Sequence, residues 1–334
     1  MNQDHLAQLK MSNSKLKIAV LGPIPKDHIT THTGEVIEKY GCVSHTTIAL
    51  AQLLGDKGTV IPVTHVCKAD EGPVKDIFKS YDNIQIDHIT SDMDQGDVVS
   101  LKFLDENNRL EKQTGFMNPI VPEDVADILD CDAYICVPIT DYEVPILTLQ
   151  YIKQNSRGII VFDAHGPTTA LTTKGDRCLK YWAGRDMWLP YIDVLKMNIE
   201  ESRCGWFGVD VPPNDPKSGE HLFDFADHCL SHGVSAVVVT LDSDGAMAYT
   251  KSNGITDGQK VGSMKVDNVV DTTGCGDSFA AGLGFGLTFG ERNIETALKY
   301  ANAMGSQRTQ GRTFEVFKSR EDTEQMIVDY YGNL

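Results

Sequence analysis

The chain alternates short apolar runs with amphipathic helical patterns. Six apolar runs, rich in β-branched residues and as short as buried strands, lie at residues 17–22, 59–66, 132–137, 158–163, 192–198 and 235–242. Apolar residues recur at helical spacing at residues 43–55, 69–80, 122–129, 143–154 and 219–232. Strands that alternate with helices indicate a mostly parallel sheet that helices cover on both faces. The pattern therefore predicts a doubly wound α/β fold.

Two segments break this alternation because their strand-like patterns are polar. They are residues 28–40 and 97–117, and turn residues at 105–108 predict that the second segment is a hairpin. Polar strands do not fit a buried parallel sheet. We therefore expect both segments to form a small β-sheet that acts as a lid over the ends of the main strands.

A further hairpin is expected in the main body, with strands at 245–250 and 263–266 about a turn at 254–259. Internal repeats and linker-like stretches are not evident. Residues 1–15 are polar and predict an N-terminal tail, whereas residues 16–334 predict one domain that includes the lid strands.

Composition mainly excludes classes of partner. The net charge of −17 argues against nucleic acid or an anionic membrane as the main partner. No apolar run approaches the 18 residues that a transmembrane helix needs. The eight cysteines include no CxxC pair, which argues against a disulfide framework and a zinc site. We therefore expect a reduced, cytoplasmic protein.

Residues 271–279, DTTGCGDSF, carry the strongest chemical signal. Gly274 and Gly276 let the backbone turn and approach a ligand closely. The following residues have helical spacing, so residues 274–277 are predicted at a helix N-terminus, where free amides and the helix dipole favour an anion. No lysine is nearby, as it would be in a GxxxxGK[ST] loop, so those amides would neutralise the anion.

Asp277 is unexpected beside an anion site because two negative charges repel each other. It is explained if its carboxylate accepts the proton of a hydroxyl that attacks phosphorus. The other explanation is that Asp277 and Ser278 only cap the helix. These residues alone leave both interpretations open.

DTTGCGDSF resembles the signature of the PfkB, or ribokinase-like, family of sugar and nucleoside kinases. The resemblance continues in the same order over nearly the whole chain. The further segments that resemble the family lie at residues 22–29, 40–55, 196–202, 237–249 and 297–307. The resemblance implies a ribokinase-like fold with a small β-sheet lid.

The resemblance also implies roles for individual residues. Asp277 would be the catalytic base, and the amides of Gly274, Cys275 and Gly276 would form the anion hole. The substrate would contact Asp27, Gly41, Cys42 and Thr46. Asn198 and Glu201 would hold Mg²⁺ largely through water. The nucleotide site would include these two residues together with Thr240, Asp242, Gly245, Thr273 and Asn302.

The implied reaction moves the γ-phosphoryl group of ATP to an alcohol, such as a primary hydroxyl of a sugar or nucleoside. Many family members also use a monovalent cation near the anion hole. Family members often form homodimers through their lid sheets, and the alternation in VVSLKFL would leave an apolar face to cover. Two alternatives remain: a non-catalytic sugar or nucleotide sensor on this fold, and a kinase of a pyrimidine or vitamin-like alcohol.

Departures from the family pattern lie mainly on the acceptor side. Cys42 replaces the second glycine of a GG pair, Thr46 replaces an asparagine, and His165 stands in the common DxN motif. These changes predict an acceptor other than ribose. Asp242 replaces a glycine. Cys275 replaces an alanine, and a thiol at a helix N-terminus is expected to have a lowered pKa and to react readily; the alternative is a small, partly buried residue.

Overall fold

The computed structural model describes residues 15–105, 109–207, 219–289 and 293–334 of the chain. The predicted N-terminal tail therefore lies outside the described residues except for Lys15, and so do residues 106–108 of the lid turn. Within the described ranges, no helix is both long enough and apolar enough to span a membrane.

The main sheet has nine strands among the described residues. In spatial order they are β15 (Ile255–Val261), β14 (Ala246–Ser252), β13 (Ala236–Thr240), β12 (Val194–Asn198), β9 (Ile159–Asp163), β8 (Ala133–Cys136), β1 (Leu16–Leu21), β4 (Gly58–His65) and β5 (Ile89–Thr90). Neighbouring strands are parallel except that β14 is antiparallel to both β13 and β15. The predicted mostly parallel sheet is confirmed.

Helices cover both faces of this sheet. They are α1 (Val43–Leu54), α2 (Lys68–Phe78), α3 (Ile146–Asn155), α4 (Arg185–Trp188), α5 (Ile199–Trp206), α6 (Leu222–Ser231), α7 (Cys275–Phe289), α8 (Ile294–Arg308) and α9 (Arg320–Tyr331). The helix predicted at 122–129 is wrong, since only a single 3-10 turn forms at Pro122–Val125. The apolar spacing of this segment comes from Val125 and Ile128. Both side chains are buried, but they lie in successive turns rather than on one face of a helix.

Strand residues alternate between two hydrophobic cores, one on each face of the sheet. In β1, Ile18 and Val20 pack in the core that contains α1, α7 and α8, whereas Ala19 and Leu21 pack in the core that contains α3 and α6. This alternation explains why the strands read as continuous apolar runs, because a strand covered on both faces has no polar side.

The two polar segments form the predicted second sheet. Its strands, in spatial order, are β3 (Val36–Tyr40), β2 (Lys26–Thr30), β6 (Val98–Phe103) and β7 (Arg109–Gly115). Two antiparallel hairpins, β2–β3 and β6–β7, join through the parallel pair β2–β6. Val99 and Leu101 are buried against Ile29 within this chain. These two side chains also line the cavity described below, and the homodimer expected from the sequence stays a prediction.

The hairpin predicted in the main body exists, but its register was wrong. Strands β14 and β15 are joined at Asn253 and Gly254, which both have positive φ, +52° and +79°. Asn-Gly favours such two-residue turns because both central residues must be left-handed. The expected turn at 254–259 is therefore almost entirely inside β15, and residues 263–266 follow the strand.

A short hairpin was missed altogether. Its strands are β10 (Thr169–Leu171) and β11 (Arg177–Leu179). Three-residue strands are too short to show a period in the sequence. The hairpin contacts the small sheet, since the Gln113 amide donates to the carbonyl oxygen of Gly175 at 2.9 Å. It thereby brings Arg177 beneath that sheet.

Candidate active site

A cavity of about 990 Å³ lies between the small sheet, the start of α7 and the carboxyl ends of the main strands. Asp163, Asn198 and Thr240 line it where β9, β12 and β13 end. Ligands of open α/β sheets bind at this edge. Of the site residues expected from the sequence, all line the cavity except Gly41 and Thr46.

The loop before α7 adopts the geometry expected of its glycines. Gly274 has a φ of +84°, and a Cβ there would lie 2.5 Å from the His45 ring. Glycine is therefore needed both for the turn and for space. The amide of Cys275, one of the three assigned to the anion hole, already donates to the carbonyl oxygen of Thr272 at 3.2 Å.

Asp271 anchors this loop. Its carboxylate accepts a hydrogen bond from the Thr273 amide at 2.9 Å, and it forms ion pairs with Lys39 and Arg308, each at 3.0 Å. Burial opposes its ionisation, but these partners hold the pKa of Asp271 well below its usual value. The carboxylate therefore stays charged and fixes the path of the loop.

Asp277 lies in the first turn of α7 and faces the cavity. Its carboxylate Oδ1 is 3.6 Å from the Cys42 sulfur. Burial raises the pKa of Asp277, although Lys196 and His165 oppose the rise. On balance these surroundings make Asp277 a stronger proton acceptor than an exposed aspartate.

Lys196 corrects the expectation that no lysine is near the anion site. It comes from β12, and its ammonium group lies 2.6 Å from Asp163 and 3.1 Å from where a Cβ of Gly276 would be. Burial would lower the pKa of Lys196, but Asp163 and Glu201 raise it on balance, so the group stays cationic. The available signal was a lysine inside the otherwise apolar run VLKMN.

Arg177 and His165 connect the small sheet to the main sheet. The Arg177 guanidinium donates to Glu111 at 3.1 Å, Gln113 at 2.7 Å and the carbonyl oxygen of Ile139 at 2.7 Å. It also donates to His165 Nε2 at 3.1 Å. His165 Nε2 must then accept, so Nδ1 carries the proton.

His165 Nδ1 lies 2.9 Å from Glu201, to which it donates. Glu201 and Asn198 form a capping box at the start of α5. The backbone amide of Glu201 donates to Asn198 Oδ1, and the backbone amide of Asn198 donates to Glu201 Oε2. Burial opposes ionisation of Glu201, but His165 and Lys196 lower its pKa. The NxxE pair is thus both a helix cap and a charged wall of the cavity.

On the acceptor side, Asp27 is buried, and this burial raises its pKa to about 7 despite the opposing effect of Lys39. Gly41 packs against Asp27, since a Cβ there would lie 2.5 Å from Asp27 Oδ2. Cys42 has a φ of +47°, a conformation that favours the glycine of the family pattern. Thr46 is fully buried and donates to the Asp277 carbonyl oxygen at 3.1 Å, so it supports α7 rather than lining the cavity.

At the opposite end of the cavity, Gly245 has a φ of +92°, and any side chain there would overlap the Val261 carbonyl oxygen. Asn302 on α8 donates to the carbonyl oxygen of Gly262 at 2.9 Å. Asp242, with a φ of +51°, replaces a family glycine at a position where left-handed backbone is needed. This end is built from loops whose backbone is held close to the cavity.

The structure reverses the expectation for Cys275. Burial raises the pKa of its thiol to about 12, although Arg308 opposes the rise. Because the thiolate is the nucleophile, we expect iodoacetamide to alkylate Cys275 more slowly than the exposed Cys178. Peptide mass mapping over time measures both rates in one sample. Equal rates would contradict the burial of Cys275.

Comparison with known proteins supports the resemblance found in the sequence. The model of the pfkB family carbohydrate kinases matches residues 180–313. A fructokinase from Rhizobium leguminosarum bv. trifolii is 38% identical over 91 residues, 27% of this chain and 23% of that protein. A ribokinase from Staphylococcus aureus is 26% identical over 191 residues, 57% of this chain and 56% of that protein. The chain therefore spans less than two thirds of the length of either relative.

The fold is shared more widely than the sequence. The structure of Arabidopsis thaliana ribokinase complexed with ribose and ATP is similar to this chain with a TM-score of 0.71 and 16% identity, covering 94% of this chain and 99% of that one. At this identity the likeness establishes the ribokinase fold alone. The family model over residues 180–313 and the sequence relatives thus support the resemblance to the PfkB carbohydrate kinases, and the solved structure shows the ribokinase fold over nearly the whole chain.

Proposed function

We propose that the protein transfers the γ-phosphoryl group of ATP to a hydroxyl group of a sugar or nucleoside. The observation that carries this proposal is the position of Asp277 in one continuous cavity between Asp27 at one end and Asn302 at the other. A cavity of about 990 Å³ has room for both an acceptor and a nucleotide. A pure sensor would need no proton acceptor with a raised pKa at that junction.

In this mechanism Asp27 holds acceptor hydroxyls, and Asp277 accepts the proton of the attacking hydroxyl as its bond to phosphorus forms. The amides of Gly274 and Gly276 and the Lys196 ammonium group stabilise charge on the transferred phosphoryl oxygens. Preorganised donors of this kind act most strongly where water is excluded. The small sheet, through Val99 and Leu101, covers the acceptor end and excludes water.

Mg²⁺ fits the cavity through water rather than by direct ligation. Both oxygens of Glu201 and the amide oxygen of Asn198 already accept hydrogen bonds from the protein. Carboxylate and amide oxygens have further lone pairs, and Mg²⁺ keeps several of its waters. When bound, the ion would neutralise phosphate charge, while Asn198 and Glu201 orient its waters.

Glu201→Gln should raise the magnesium concentration needed for half-maximal rate by about tenfold, the usual cost of losing an outer-shell partner. The amide keeps a capping oxygen but lacks the negative charge. Initial rates across a magnesium titration measure this, with the thermal midpoint recorded alongside. A variant that loses stability yet keeps the wild-type magnesium dependence would restrict Glu201 to its capping role.

We propose that two protein cations take the place of a monovalent ion beside the anchor of the anion loop. The Asp271 carboxylate already pairs with two protein cations, Lys39 and Arg308. We therefore expect the rate to change by less than about twofold when K⁺ is replaced by tetramethylammonium at constant ionic strength, since screening is then unchanged. A loss of most of the activity without K⁺ would show that these side chains do not supply the charge the loop needs.

The direct test is ADP release from ATP with a panel of sugars, deoxysugar acids, nucleosides and pyrimidine alcohols. We expect release to depend on one class of sugar or nucleoside, with the phosphorylated product identified by mass spectrometry. Inorganic pyrophosphate in place of ATP tests whether the donor must carry a nucleoside. Binding of a sugar without turnover by any donor would support a non-catalytic sensor. Turnover only with a pyrimidine alcohol would support a kinase of pyrimidine or vitamin-like alcohols.

A further inference from the structure

Two histidines and an aspartate meet at the surface, outside the cavity. His228 lies in the last turn of α6, and His232 follows the helix four positions later, so both point from the same side. Asp186 comes from α4, which is distant in sequence. One ligand atom from each residue lies within 4.8 Å of those of the other two. The centroids of the two imidazole rings are 4.2 Å apart.

Hydrogen bonding fixes which nitrogen of His232 can bind a metal. Its Nδ1 lies 2.8 Å from the carbonyl oxygen of His228, and a carbonyl can only accept. Nδ1 therefore carries the proton, and Nε2 carries the lone pair. A metal-binding histidine commonly donates its other nitrogen to a carbonyl in this way, which orients the ring and raises its basicity.

The local charges also favour a cation. His228 Nε2 lies 2.7 Å from Asp186 Oδ1, so an imidazole nitrogen and a carboxylate oxygen already face each other at this point. The end of α6 adds the negative pole of a helix dipole. Arg185 opposes binding, because its Nε is 3.5 Å from Asp186, but its Nη1 is engaged by the carbonyl oxygen of Gly205 at 2.6 Å.

We propose that Asp186, His228 and His232 form a binding site for a transition-metal ion such as Zn²⁺, Ni²⁺ or Cu²⁺. Two imidazole nitrogens and one carboxylate suit these metals, whereas Mg²⁺ prefers oxygen ligands alone. The ion would replace the proton that His228 shares with Asp186. Since it would join α4 to α6 only in the folded chain, it would stabilise the native state.

The fluorescence of Trp206 can report metal binding directly, because the centroid of its ring lies 5.7 Å from that of the His228 ring. In tag-free protein we expect Ni²⁺ or Cu²⁺ to quench tryptophan fluorescence and saturate at one equivalent. Zn²⁺, which is redox-inert with a filled d shell, should displace the quencher, and Mg²⁺ should not. Zn²⁺ at about 100 times its Kd should raise Tm by about 4 °C.

The variants His232→Ala and Asp186→Asn should each weaken Zn²⁺ binding by at least about tenfold in calorimetry. His32→Ala, which alters an exposed histidine in the turn between β2 and β3, is the matched control and should bind as the wild type does. All variants should keep the far-ultraviolet circular dichroism and the phosphotransfer rate of the wild type. Unchanged Zn²⁺ affinity in His232→Ala, or displacement of Ni²⁺ by Mg²⁺, would overturn the proposal.

Discussion

Replacing Asp277 by asparagine is expected to lower kcat for phosphoryl transfer by about 10²–10⁴, the usual cost of losing a general base. This corresponds to about 3–5 kcal/mol of activation free energy. Asparagine keeps the size and a capping oxygen, so α7 should remain intact. Affinity for ATP should be kept or become tighter, because a negative charge next to the phosphates has been removed.

The measurement is kcat together with ATP affinity by calorimetry for both proteins. Asp242→Asn is the matched control, since it removes another carboxylate from the same cavity at the nucleotide end. We expect that control to change the KM for ATP more than kcat. Activity of Asp277→Asn within tenfold of the wild type would reduce Asp277 to a helix cap and would remove the proposed mechanism.

Replacing Arg308 by methionine should lower the free energy of unfolding by about 3–5 kcal/mol, the usual cost of breaking a buried ion pair by removing one partner. The Arg308 side chain is fully buried, and it binds Asp271, the carbonyl oxygen of Gly311 and His45 Nδ1. Methionine fills similar space but bonds to none of them. The loop that carries Gly274 should therefore lose its anchor.

Urea unfolding measures this effect. Lys39→Met is the control, because Lys39 pairs with the same carboxylate from a more exposed position and should cost only about 1 kcal/mol. Equal losses of unfolding free energy in the two variants would show that the deeper burial of Arg308 does not strengthen its contribution to stability. A stable Arg308→Met protein with wild-type rates would contradict the role of Asp271 as the anchor of the loop.

Much of the fold could be predicted because a strand that is buried on both faces of a sheet appears in the sequence as a continuous apolar run. The strands of the main sheet read as apolar runs, and the polar segments marked the small sheet. The hairpin at Asn253 and Gly254 could have been placed correctly, since Asn-Gly is a strong two-residue turn signal. The helix expected at 122–129 failed because apolar spacing alone cannot distinguish a helix from successive buried turns.

The candidate site was predicted where a residue acts through its position in a motif. Gly274, Asp277, Asn198 and Glu201 all line one cavity as expected. Residues that act through long-range pairing were missed. Lys196 pairs with Asp163 across adjacent strands, and Arg177 arrives on a hairpin too short to recognise. No local sequence pattern predicts such partners, because only the folded topology brings them together.

The line of hydrogen bonds from Arg177 through His165 to Glu201 has an evolutionary consequence. One end touches the sheet that covers the acceptor, and the other end is the pair proposed to orient the waters of Mg²⁺. A substitution that adapts the chain to a new acceptor by changing His165 would also remove a hydrogen bond to Glu201. Under the proposed function, acceptor preference and metal affinity cannot diverge independently in this lineage, and paralogues with a new acceptor should carry compensating changes at both ends.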